Sequence, residues 1–112
     1  MKFFHNPKCK KSRAGLEYIK TKNVDFELVD YQKIGLTELD LKEILSKLNI
    51  QPIELVRTQE ELFKKELKNK NFNYDEWIKI IIENPKLMKR PIVVGDRKAA
   101  IADPVDEMDK MF

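Results

Sequence analysis

The sequence has a single cysteine, Cys9, so no internal disulfide can form. The even set of cysteines that often staples a small secreted domain is missing. Only one histidine, His5, accompanies that cysteine, which leaves no Cys/His metal constellation. Glycine is scarce at 3 of 112 residues, and no GxGxxG, P-loop or nucleophile-elbow serine occurs. No apolar run approaches the roughly 18 residues of a membrane span. Met1 to Pro7 carries no apolar stretch of signal-peptide length. The formal charge of +3 is too balanced to argue for nucleic acid. These absences point to a soluble, cytoplasmic, monomeric protein with no membrane or nucleic-acid partner, no metal and no bound cofactor.

What is present suits one domain. Hydrophobic residues make up 42% of 112 residues, enough for a modest packed core. Lys2 to His5 reads as a strand, Asn6 to Lys11 as a loop begun by Asn-Pro, and Ser12 to about Lys22 as a helix facing inward through Leu16, Ile19 and Tyr18. Phe26 to Tyr31 reads as a second strand. The middle is helical. Thr37 with Asp40 and Asn73 with Glu76 are capping pairs. Leu41, Ile44, Leu45 and Leu48 form one apolar face, and Tyr74, Trp77, Ile78 and Ile81 another. Pro52 opens a short helix to about Arg57, and Gln59 to Lys68 is a weaker helical pattern. Strands return at Pro91 to Val94 and Lys98 to Ala102, with Gly95-Asp96-Arg97 between them. Asp103 is the expected N-cap, and Pro104 the expected first-turn residue, of a last helix. The order β-α-β, helices, β-β-α predicts a single α/β domain over 1–112 with a helical insertion at about 37–85.

Cys9 lies in a polar loop running from a strand into a helix, with Lys8, Lys10, Lys11 and Arg13 beside it. Such a position aims backbone N–H groups and the positive helix end at the sulfur. Both effects favour the thiolate, the nucleophilic form. A lone cysteine is otherwise most often an inert buried residue. Ser12 can cap the helix or hydrogen-bond the sulfur, and His5 can assist thiolate formation. Of the 22 basic residues only Arg13, Arg57, Arg90 and Arg97 are arginines. Arginine offers an oxyanion a bidentate fork that lysine lacks.

The segment from His5 through Asn6-Pro7-Lys8-Cys9-Lys10-Lys11-Ser12-Arg13 resembles the active-site segment of glutaredoxin-coupled arsenate reductases. Leu55-Val56-Arg57 is similar to the stretch that holds a substrate arginine in that family. Asn84-Pro85-Lys86-Leu87-Met88-Lys89-Arg90-Pro91-Ile92-Val93-Val94 resembles its C-terminal signature. The resemblance spans nearly the whole chain. It implies a thioredoxin-like mixed sheet with an inserted helical subdomain, and a cis bond at Arg90–Pro91. It implies Cys9 as the nucleophile toward arsenate, with His5 and Ser12 tuning the thiol. Arg57 and Arg90 become oxyanion ligands, with Arg13 a further substrate-binding candidate. Glutathione is the implied co-substrate and glutaredoxin the implied partner. The family's arsenate-reducing members place a third arginine just before the proline of the last corner, where this chain has Asp103. Arg97 is the one arginine nearby in sequence. Spx regulators, which bind RNA polymerase, share the fold and are the alternative. Many of them switch through a Cys-x-x-Cys pair, whose second position here is Ser12.

Overall fold

The computed structural model describes every residue from Met1 to Phe112. The chain forms two compact units, one from Met1–Gly35 with Arg90–Phe112, the other from Leu36–Lys89.

The first unit is built on a four-stranded mixed sheet. Its strands are β1 (Lys2–His5), β2 (Glu27–Asp30), β3 (Ile92–Val94) and β4 (Ala99–Ile101), in the order β2-β1-β3-β4. β1 pairs in parallel with β2, and antiparallel with β3, which pairs antiparallel with β4. Phe3 and Phe4, on opposite faces of β1, are both buried, as a central strand covered on both sides requires. Helix α1 (Lys10–Lys20) connects β1 to β2 and buries Ser12, Gly15 and Ile19. Their three- and four-residue spacing makes one narrow face. Ile19, Phe3, Val93, Ala102 and Met108 form the core of this unit, with Leu16 and Tyr18 partly buried against it. The sheet with its β-α-β and β-β-α arms is the thioredoxin-like arrangement expected.

Element ends shift for local reasons. α1 starts two residues before the expected Ser12, which converts Cys9 from a loop residue into the helix N-cap. β2 stops at Asp30 because the Asp30 carboxylate accepts the Lys33 N–H and turns the chain into a short helix α2 (Tyr31–Ile34). The last helix is of 3-10 type, Val105–Met111, and its N-cap is Pro104. Asp103 is therefore not the cap that its place before a proline suggested. The Arg90–Pro91 bond is cis, and so is Asp103–Pro104.

The second unit is helical. α3 (Glu38–Leu48) opens with the Thr37/Asp40 capping box and buries Leu41, Ile44 and Leu45. Asn49 closes it in the left-handed conformation at φ 55°. α4 (Tyr74–Glu83) opens with the Asn73/Glu76 box and buries Trp77, Ile78 and Ile81. Tyr74 does not join that face: it is 40% exposed at the first turn. A 3-10 turn at Pro52–Leu55, a π turn at Phe63–Leu67 and a 3-10 turn at Pro85–Leu87 fill the rest. Val56 and Met88 form an isolated antiparallel bridge. No helix is long and apolar enough to cross a membrane.

Candidate active site

The loop between β1 and α1 is folded by its own asparagine. The Asn6 carboxamide accepts the Lys8 N–H at 3.1 Å, and the Asn6 carbonyl accepts the Cys9 N–H at 3.0 Å. This Asx-type turn delivers Cys9 to the N-cap in an extended conformation, φ −94° and ψ 123°. Cys9 makes no geometric side-chain cap. The N–H groups of Ser12 and Lys11 instead favour the anionic sulfur, and the Arg90 side chain hydrogen-bonds it. Burial is the largest single influence on the Cys9 thiol, and it raises the pKa. The Ser12 N–H, the Arg90 side chain, the Lys11 N–H and the Arg90 charge together outweigh it, so the thiol sits below its ordinary value.

Ser12 serves the sulfur through its backbone. Its fully buried hydroxyl accepts the Asn6 N–H at 2.9 Å and lies 2.7 Å from His5 Nδ1. With Asn6 donating to that oxygen, the hydroxyl proton is available for His5, whose Nδ1 is then the acceptor of a neutral ring. Burial, the leading influence, lowers the His5 pKa. Arg13 and Lys20 lower it too, against a raising effect of Asp30. His5 thus braces Ser12, and its ring bonds Ser12 and not the sulfur.

The remaining cations divide into engaged and exposed. Arg13 Nη1 donates to the Pro7 carbonyl at 3.0 Å, fastening the loop to α1. Lys11 Nζ pairs with Asp103 at 2.8 Å. Lys8 and Lys10 are exposed beside Cys9. Arg57 belongs to the helical unit, where its guanidinium pairs with Glu60 at 3.0 Å and its N–H donates to the Leu87 carbonyl at 2.7 Å. Arg90, Pro91, His5, Ser12, Arg13 and Cys9 all belong to the sheet unit.

Strand register decides the question posed by Asp103 and Arg97. Val94, at the hairpin end of β3, pairs with Lys2 at the start of β1. The turn carrying Arg97 therefore lies at the end of the sheet opposite His5 and Cys9, and Arg97 does not replace the third arginine. Asp103 follows Ala102, whose N–H donates to the Pro91 carbonyl at 2.9 Å, at the Cys9 end. The corner that holds an arginine in the family's pattern thus presents a carboxylate bound to Lys11. No group of three or more His, Cys, Asp or Glu side chains suited to a metal ion occurs.

One residue of this site escaped the sequence reading. Gly15 lies in the buried face of α1, where a methyl group would come within 2.7 Å of Pro91 Cγ and 3.3 Å of Phe3 Cζ. A glycine inside a helix costs roughly 1 kcal/mol relative to alanine, which is itself a signal of close packing.

Known proteins are similar to this chain along nearly its whole length. An arsenate reductase of Neisseria meningitidis is 33% identical over 114 residues, covering 100% of this chain and 97% of its own. The solved arsenate reductase from Vibrio cholerae superposes with a TM-score of 0.91 at 28% identity, covering 100% of this chain and 98% of that one. The regulatory protein MgsR of Bacillus subtilis is 29% identical over 97% of this chain and 87% of its own. The ArsC family model matches residues 4–111, so nearly the whole chain, with its cysteine at the head of α1 and its arginine before the cis-proline, belongs to the ArsC family.

Proposed function

We propose that the chain is a glutathione- and glutaredoxin-dependent oxidoreductase whose Cys9 thiolate attacks arsenate or a related electrophile. The observation that carries this reading is the sulfur at the N-terminus of α1, its pKa lowered by two backbone amides and by Arg90 despite partial burial. In the first step the Cys9 thiolate bonds to arsenic and one arsenate hydroxyl leaves as water, taking up one proton from solvent. Glutathione then brings a second thiol. The arsenic–sulfur bond breaks, As(V) accepts two electrons and leaves as arsenite, and the two sulfurs join as a mixed disulfide. Glutaredoxin removes the glutathionyl group and restores Cys9. Arg90, whose side chain hydrogen-bonds the sulfur, binds the oxyanion, and Arg13, His5 and Ser12 hold the loop. With one cysteine, no internal disulfide can do glutaredoxin's work.

The test is arsenite production by the purified protein with arsenate, glutathione and glutaredoxin, beside a panel of other thiol-reactive electrophiles. Turnover should stop without glutathione and in Cys9→Ser, and thioredoxin alone should support it poorly. Arsenate itself should turn over weakly, because Asp103 stands where the resemblance implies a third arginine. Activity that survives in Cys9→Ser, or a wild type inert toward the whole panel, contradicts the proposal. The similarity to the regulatory protein MgsR favours a second reading, a regulator, for which the resemblance to Spx suggests RNA polymerase as the partner. Co-purification of RNA polymerase with a protein that lacks turnover would select it.

A further inference from the structure

We infer that Gly15 is a positioning residue of this site: its missing side chain lets α1 seat against Pro91 and so fixes the distance between Cys9 and Arg90. The two ends of that distance are carried by the two partners of one contact. Cys9 is the N-cap of α1, so it moves with the helix. Arg90 precedes Pro91, so it moves with the proline. Where they touch, a methyl group on Gly15 would stand 2.7 Å from Pro91 Cγ, a separation that carbon atoms do not adopt. The neighbours have little room to give. Pro91 is a buried ring, and Phe3, at 3.3 Å from the same methyl position, is fully buried in the core. Relief of the overlap therefore comes from separating α1 and Pro91 by several tenths of an ångström, which lengthens the reach from Arg90 to the sulfur. The amides of Ser12 and Lys11 ride on the same helix as Cys9, so their contribution persists. Lys8, Lys10 and Arg13, which is held on Pro7, stay with α1 and its loop, and His5 stays bonded to Ser12, whereas the Lys11–Asp103 pair spans the gap but is exposed and flexible.

The inference rests on Cys9 acting as a thiolate, not on arsenate being its substrate. It is tested by iodoacetamide alkylation against pH in wild type, Gly15→Ala, Arg90→Met and the double variant, with thermal melts alongside. Gly15→Ala should raise the alkylation midpoint by about half a pH unit, about threefold less thiolate below the midpoint. In the Arg90→Met background the same substitution should move the midpoint far less, because the contact it lengthens is already gone. Equal shifts in both backgrounds, or a lower melting temperature with no shift of the midpoint, would overturn the inference and leave Gly15 a packing residue only. If Gly15→Ala does not fold, Gly15→Ala/Phe3→Leu relieves the second close neighbour and is read by the same pair of midpoints.

Discussion

The long helices of this protein begin in two different ways. α3 and α4 each open with a complete capping box, Thr37 with Asp40 and Asn73 with Glu76, and each carries two acidic residues in its first turn. α1 has neither. Its N-cap is Cys9, which makes no capping bond, and no acidic residue occupies its first turn. In α3 and α4 the orphan N–H groups and the positive helix end are satisfied by the chain itself, and they contribute to stability. At α1 the same groups are left facing a thiol, where they favour a negative sulfur. The helix that carries the proposed nucleophile is the one whose terminus is least well closed, a pattern expected where function competes with stability.

The sharpest way to break this contrast is to cap α1. Cys9→Ser should abolish alkylation and turnover yet stabilise the fold, by about 0.5–1 kcal/mol, because serine supplies the cap that cysteine does not. Urea unfolding of both proteins measures this, and a less stable Cys9→Ser would show that the sulfur already caps well. After the total loss of alkylation in Cys9→Ser, the next largest effect on the thiol belongs to Ser12. Replacing it with alanine leaves the buried Asn6 N–H and the His5 ring without their partner. A loss of about 1–3 kcal/mol follows, with slower alkylation near neutral pH as the loop loosens.

Thr37→Ala and Asn73→Ala should each cost about 1 kcal/mol and leave the alkylation profile of Cys9 unchanged. A shifted profile would mean that the capping boxes of the helical unit also govern the thiol. His5 adds a pH dependence of known sign. Its pKa is lowered in the folded chain, chiefly by burial, so the unfolded chain binds its proton first as the pH falls. Stability should therefore decline as the pH drops below about 6.5, the value of an unperturbed histidine. His5→Gln should flatten that part of the curve in urea titrations at a series of pH values.

Asp103 yields the smallest change in stability. Its ion pair with Lys11 is exposed on both sides, at 40% and 62%, so Asp103→Arg should alter unfolding by less than about 1 kcal/mol. A cap would have cost more, and a larger loss would restore that role to Asp103. The same substitution should raise kcat/KM for arsenate by releasing Lys11 and adding a fork at the Cys9 end of the sheet. No gain in the steady-state assay would show that the corner carboxylate is irrelevant to the anion.

The order of strands and helices, both capping boxes and the setting of Cys9 were legible in the sequence because each rests on neighbours within a few residues. Thr37 and Asp40 bond across three positions, and the basic residues around Cys9 adjoin it. Other features needed the tertiary structure. Strand register, a property of the whole sheet, sends Arg97 to the end opposite Cys9. Packing of the last corner against α1 joins Asp103 to Lys11 across 92 positions and takes it away from the role of cap. Ser12 points to His5 because its burial under the loop leaves the Asn6 N–H and the imidazole to share one hydroxyl. Gly15 was visible as a letter, but its meaning came only when Pro91, 76 positions later, was seen to fill the space of its side chain. Short-range hydrogen bonds are written in adjacent residues, whereas the distance between a cysteine and an arginine is set by how a helix and a sheet pack.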